Sequence, residues 1–317
     1  MLKKLINLTS IFLLFVMTSS LQAQRNRDVD VYYEKSRSKK GEYQFYCENK
    51  TNLRHTITVK MDLSNMRITG GNPWKGDIKP GKNRLFSIKP INENSTFNFS
   101  YSYTYKIGCK RPKPNKDIKY NLPVAEGVSV STLPVSYVGD QFGHDAPEGF
   151  YSIGFKMEKG DTIIAMRRGV VMDINSNAIK SNSSDLTFIK NSNYILVQHK
   201  DCTVGSYRDL AGEILVEKGE TIIPGQPIAL VGENDFVSGA HFKFSVYYNK
   251  SNVKKKNGKE TKDEFPYTYT SPIFVTEEGE VILEGNKTYK SRWNEKTMNK
   301  ELSKGEKKQW KKLAVKD

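Results

Sequence analysis

His241 and Lys243 stand two residues apart in the stretch SGAHFKFSV, Ser238 to Val246. In an extended strand alternate side chains share a face, so these two point one way while Phe242 and Phe244 point the other. The spacing suits a pair of metal ligands, and an ion held by such ligands can polarise a carbonyl and activate water. A lysine at neutral pH, however, is a cation without a lone pair to donate. Three readings stay open at this point: half of a metal site, the remains of one, or an ordinary polar surface. The chain has four histidines, and His144, His199 and His241 with Asp145, Asp201 or Asp209 form an alternative ligand set. Cys202 offers a thiolate ligand or nucleophile, against the plainer reading of an inert thiol.

The elements that position these residues follow from the rest of the chain. The N-terminus has a basic start at Lys3 and Lys4, an apolar run from about Ile11 to Met17, and small or polar residues to Ala23. That run is too short to cross a bilayer comfortably, and the pattern predicts a cleaved secretory signal over residues 1–23. No cysteine lies near the cleavage point, which argues against a bacterial lipid anchor, and no later segment reads as a membrane span. The expected location is periplasmic or extracellular. The formal charge of +15 favours anionic surroundings such as cell-wall polymer or lipid headgroups, and export makes nucleic acid the least favoured. Three cysteines are too few for a disulfide scaffold but allow one bridge.

From Glu42 to about Gly108 the chain alternates with period two. Ile57, Val59, Met61 and Leu63 share one face, and Phe97, Phe99, Tyr101, Tyr103, Tyr105 and Ile107 do the same further on. With turn signals between the runs, this predicts an Ig-like β-sandwich over residues 24–112. Cys47 and Cys109 both fall on core-facing parities, which suggests a bridge between them, with two free buried thiols as the alternative. A proline-rich, charged stretch at 113–128 reads as a linker. Beyond it KGDTII from Lys159 is echoed by KGETII from Lys218, each leading into another strand. The echo predicts an all-β domain of two related hairpin units over 129–290. Residues 291–317 form a basic tail in which Met298 and Leu302, and Trp310 and Leu313, have helical spacing. A solvated or frayed tail is expected, with a basic helix on an anionic surface as the alternative.

Four segments of this second region, in order, resemble the lysostaphin and LytM type of zinc peptidoglycan endopeptidases, which have the duplicated hybrid motif fold. They are YSIGFKMEKGDTIIAMRRGVV, YILVQHKDCTVGSYRDL, EKGETIIPGQPIALVG and SGAHFKFSV. The resemblance implies an antiparallel β-domain and a zinc ion held by His, Asp and His, with further histidines handling protons. Carried over residue by residue, the aspartate ligand falls on Gly154 and one histidine ligand on Phe150, with His144 upstream as a substitute. The remaining histidine ligand falls on Lys243, and an auxiliary histidine falls on Asp209. His241 keeps the other auxiliary position. His199 matches a position that supports the fold.

The resemblance therefore implies a degenerate relative: no catalytic residues, no bound metal, and no cofactor where active relatives hold zinc. A cleft lined by Phe150, Tyr207, His241 and Lys243 is expected to bind peptidoglycan or regulate a cell-wall hydrolase, with Lys243 paired to Asp209 where the metal stood. Independent drift of Lys243 and Asp209 is the bland alternative. An active zinc endopeptidase with an atypical metal site is one rival reading. A structural or adhesive envelope module built on the sandwich and tail is another.

Overall fold

The computed structural model describes residues 27–37, 39–177, 193–232, 241–250, 253–256, 259–262 and 265–314. The expected signal segment and Ser238, Gly239 and Ala240 lie outside the described residues. The alternating N-terminal region forms β1 (Val29–Lys35), β2 (Tyr43–Asn49), β3 (His55–Ser64), β4 (Met66–Ile68), β5 (Trp74–Ile78), β6 (Gly81–Pro90) and β7 (Asn98–Ile107). They build two antiparallel sheets, β1-β2-β6-β4 and β5-β3-β7. The apolar parity of each strand turns inward, so Phe45, Cys47, Ile57, Val59 and Ile88 are buried between the sheets. The tyrosines of β7 tie the layers together, with Tyr101 and Tyr103 hydroxyls donating to the carbonyls of Val31 and Val29.

The following all-β domain begins with β8 (Ser129–Pro134), β9 (Ile153–Lys156), β10 (Thr162–Ile164) and β11 (Gly169–Asn175). It continues through β12 (Tyr194–Gln198), β13 (Val204–Arg208), β14 (Thr221–Ile222), β15 (Pro227–Leu230) and β16 (His241–Asn249). After the hairpin β17 (Val253–Lys256) and β18 (Lys259–Lys262) come β19 (Tyr267–Tyr269), β20 (Phe274–Thr276), β21 (Gly279–Val281) and β22 (Thr288–Lys290). A nine-stranded sheet runs β14-β11-β12-β13-β16-β9-β8-β22, with β19 also paired to β16. Phe155, Val197, Phe242 and Phe244 point from it into one core. Among the described residues no helix is long and apolar enough to cross a membrane.

The two echoed segments do not form two separate hairpins. β10 of the first echo pairs with β15, which follows the second, and β14 of the second pairs with β11, which follows the first. The exchange repeats atom for atom at the turns: Gly160 N donates to Val231 O and Gly219 N to Val171 O, both at 2.8 Å. Val231 N and Val171 N return bonds to Asp161 O and Glu220 O. Each repeat alone leaves its first strand unpaired, so partner exchange satisfies both backbones within one core.

Three further expectations are corrected. Within the stretch read as a linker, Tyr120, Leu122 and Val124 are buried in the second domain's core, and Tyr120 bridges Phe274. Its prolines and charges mark the surface portion only. The tail is docked rather than solvated: short helices at Glu295–Met298 and Lys304–Ala314 and the turn between them bury Met298, Trp310 and Leu302 in one cluster with Ile223. The bridge joins Cys109 to Cys202, Cα atoms 5.9 Å apart, and Cys47 is free and buried. β7 ends at Ile107, and Gly108, at φ 105°, turns Cys109 out of the sandwich parity toward the β12–β13 turn. Burial pushes the Cys47 thiol up to about 12.

Candidate functional site

The outer face of the nine-stranded sheet carries the positions singled out by the motifs. The antiparallel register of β9 and β16 sets Lys156 opposite His241, Phe155 opposite Phe242, Gly154 opposite Lys243 and Ile153 opposite Phe244. Phe155, Phe242, Ile153 and Phe244 face the core. By alternation Gly154, His241 and Lys243 belong to the other face. Gly154 and Lys243 are thus direct cross-strand partners.

Whether this pair fits a zinc ion depends on its donors. Gly154 supplies none, and a Cβ built there would lie 3.0 Å from Leu133 Cβ, so a carboxylate-bearing side chain needs β8 to give way. Lys243 supplies a cation, and an ammonium at a ligand position repels a divalent ion. The residues at these two positions do not fit zinc. Among the described residues no group of three or more His, Cys, Asp or Glu side chains is gathered to hold a metal.

Lys243 is instead matched to a carboxylate. Its Nζ lies 2.8 Å from Asp209 Oδ2, and Oδ2 is buried and takes no hydrogen bond, so the contact is a Coulombic one. The register explains the meeting: Arg208, the last residue of β13, is opposite Lys243, and Asp209 follows at φ 61°. Aspartate is one of the few residues with a side chain that tolerates this left-handed backbone. The turn swings the carboxylate back over the strand end.

The other candidate residues scatter. His241 is buried on β16, while His144 and Asp145 are exposed in the loop after a 3-10 turn at Val138–Phe142. Phe150 is half-buried between Tyr137 and Tyr269, ring centroids at 5.5 and 5.1 Å. Tyr207 is not a cleft residue. It is 1% exposed, it sits opposite Phe244 on the core-facing parity, and its hydroxyl accepts from Met166 N. One residue on, Arg208 carries the outward parity and stacks over the Tyr194 ring at 5.0 Å.

His199 and Asp201 belong to a buried polar network on the β12–β13 turn, away from the Gly154 and Lys243 pair. The His199 Nδ1–H donates to Arg168 O at 2.7 Å, as the neutral tautomer requires. Burial, reinforced by Arg167, pushes His199 down to about 4. Burial alone would raise Asp201, but Arg167, with His199 and hydrogen bonds from Asn115 N and Thr203, holds it at about 2. Arg167, 3% exposed, is clamped by Asp201 at 3.0 Å and by both oxygens of Glu301 from the tail. Sequence reasoning missed this network because its partners are 34 and 134 residues apart. Cys202, in the same turn, has φ 66°, which accounts for a glycine at the matching position of the family motif.

Residues 149–255 match the family described as Peptidase family M23. The chain is similar to the catalytic domain of the antimicrobial peptidase lysostaphin from Staphylococcus simulans, at 17% identity, with 43% of this chain and 86% of that one covered and a TM-score of 0.27. It is similar at 16% identity to a variant of the catalytic domain of the prophage-encoded M23 protein EnpA from Enterococcus faecalis, covering 48% and 92%, with a TM-score of 0.26. A zinc containing peptidase from Vibrio cholerae is matched at 12% identity over 68% of this chain and 81% of that one, with a TM-score of 0.30. None of the curated proteins matches the chain. Through residues 149–255, the segment that contains the Gly154 and Lys243 pair, the chain carries a peptidase family M23 domain.

Proposed function

We propose that this protein is an exported, catalytically silent relative of the zinc endopeptidases, whose altered face binds cell-wall peptidoglycan or a cell-wall hydrolase. The observation that carries the proposal is the cross-strand pair of Gly154 and Lys243, with the Lys243 ammonium held against Asp209. A fixed positive charge stands where the family motif places a metal ligand. Its exposed side offers N–H donors to the carbonyls and carboxylates of a peptide stem but does not activate water. The half-buried rings of Phe150, Tyr137 and Tyr269 pack on one another, and we take them as the apolar contact for the same ligand. The basic start and short apolar run before Ala23 support export, and the charge of +15 supports an anionic envelope partner.

The test is incubation of the mature protein with purified peptidoglycan, following both co-sedimentation and the release of new amino groups. The proposal expects co-sedimentation that Lys243→Glu weakens about tenfold, the loss that about 1.4 kcal/mol represents, and no release. Chelator-sensitive release of amino groups would overturn it.

A further inference from the structure

A cavity of about 520 Å³ lies between the sandwich, the M23 domain and the tail, and neither Gly154 nor Lys243 lines it. All three parts of the chain line it: Arg54 and Lys79 from the sandwich, Arg168 and Lys200 from the M23 domain, and Lys300 with Glu306 from the tail. Its volume falls in the range of roughly 300–1,000 Å³ typical of small-molecule sites.

The charges on its wall are unbalanced. The two lining carboxylates are already committed, Glu301 to Arg167 and Glu306 to Arg168 at 2.8 Å. Arg54, Lys79, Lys200 and Lys300 have no ion-pair partner among the described residues. Arg54 is also fixed in place: its backbone N–H donates to Gln198 Oε1 at 2.7 Å, its carbonyl accepts from Gln198 Nε2, and its Nη1 donates to Lys200 O. Its Nε is buried with no partner, a donor whose desolvation is uncompensated. Apart from the neutral imidazole of His199, no aromatic ring lines the cavity among the described residues, so its chemistry suits a compact oxyanion rather than a flat base or sugar.

The geometry points to a binding site here for a polyanionic phosphate ligand, either a free pyrophosphate-like ion or a phosphodiester chain. Arg54 supplies the planar donor suited to phosphate oxygens, and Lys79, Lys200 and Lys300 supply point charges around it. Because the three parts of the chain meet at this cavity, the ligand also ties the sandwich and the tail to the M23 domain and raises the melting temperature by mass action.

The experiment is calorimetric titration of the full mature chain with inorganic pyrophosphate, and separately with a linear phosphodiester oligomer, at ~0.15 M salt where general surface attraction is screened. The variant Lys79→Glu with Lys200→Glu is compared with Lys60→Glu with Lys89→Glu. All four lysines are exposed, and the second pair carries the same charge change away from the cavity. The expected result is saturable binding that the cavity pair weakens at least about tenfold and the control pair leaves within about twofold, with Arg54→Gln also weakening it. Tighter binding of pyrophosphate assigns the site to a free ion, and tighter binding of the oligomer assigns it to a chain. No binding of either probe, or equal weakening by both pairs of substitutions, overturns the proposal.

Discussion

Lys243 Nζ stands 2.8 Å from Asp209 Oδ2, a contact between a side chain 32% exposed and one 7% exposed. Such a pair sits between two regimes. Exposed pairs contribute about 0–1 kcal/mol, whereas removing one partner of a buried pair costs about 3–5 kcal/mol. Lys243→Met is expected to destabilise by about 1–2 kcal/mol in urea titration, because the buried carboxylate loses its counterion. Asp209→Asn, which keeps a residue compatible with φ 61°, is expected to recover most of that loss in the double variant. Unchanged stability of Lys243→Met would mean the pairing carries no energy.

The bridge between Cys109 and Cys202 closes a loop of 93 residues and fastens the end of the sandwich to the M23 domain. Loop-closure entropy puts its contribution at about 4.6 kcal/mol. Under reductant the melting temperature is expected to fall and the two transitions, sandwich and M23 domain, to separate. Non-reducing peptide mapping should recover Cys109 linked to Cys202, with Cys47 alkylated only after unfolding. A peptide linking Cys47 to Cys109 would contradict the pairing.

Glu301 holds Arg167 through two hydrogen bonds, 2.8 and 2.9 Å, in a setting where both side chains are almost fully buried. Glu301→Ala leaves the guanidinium with Asp201 alone. The expected cost is about 3 kcal/mol, toward the lower end for a broken buried pair, together with faster proteolysis of the tail. Tail residues equally resistant to protease in the variant would show that the apolar contacts of Met298, Leu302 and Trp310 suffice to hold them.

The same network sets an acid sensitivity. His199 has its folded value depressed to about 4, below its unfolded value near 6.5. Its contribution is fully present above pH 6.5 and is lost as pH falls toward 4, since the unfolded chain takes up the proton first, for a total of about 3 kcal/mol. Asp201, held at about 2, contributes stability present above its unfolded value near 4 and lost as pH falls through 2. Denaturation midpoints measured from pH 7 to 4 should therefore drop in the wild type and drop less in His199→Gln. Equal slopes for the two proteins would exclude His199 as the cause.

Parts of this architecture are legible in the sequence and parts are not. The alternation of β3 and β7 is visible because each strand has one buried face, whereas the register of Gly154 against Lys243 emerges only in the structure. Tyr207 is misplaced only if its parity is ignored, since Arg208 beside it carries the outward face. The exchange of β14 and β15 between echoes is hidden because period-two patterns specify a face but not a partner. The docking of the tail is half legible: Trp310 and Leu313 have helical spacing and share a helix, whereas Met298 and Leu302 have it but Leu302 lies past the end of the first helix, and their partner Ile223 lies far away in the chain. Glu301 and Arg167, buried together, are hidden among runs of ordinary surface charge.

The central claim is tested most directly by the metal content of the mature protein, purified without chelator or affinity-tag histidines and then offered equimolar zinc. With Gly154 and Lys243 at the ligand positions, the expected result is no zinc retained through gel filtration. Near-stoichiometric zinc that is lost in His241→Ala would contradict the account and would place a new ligand set on this face.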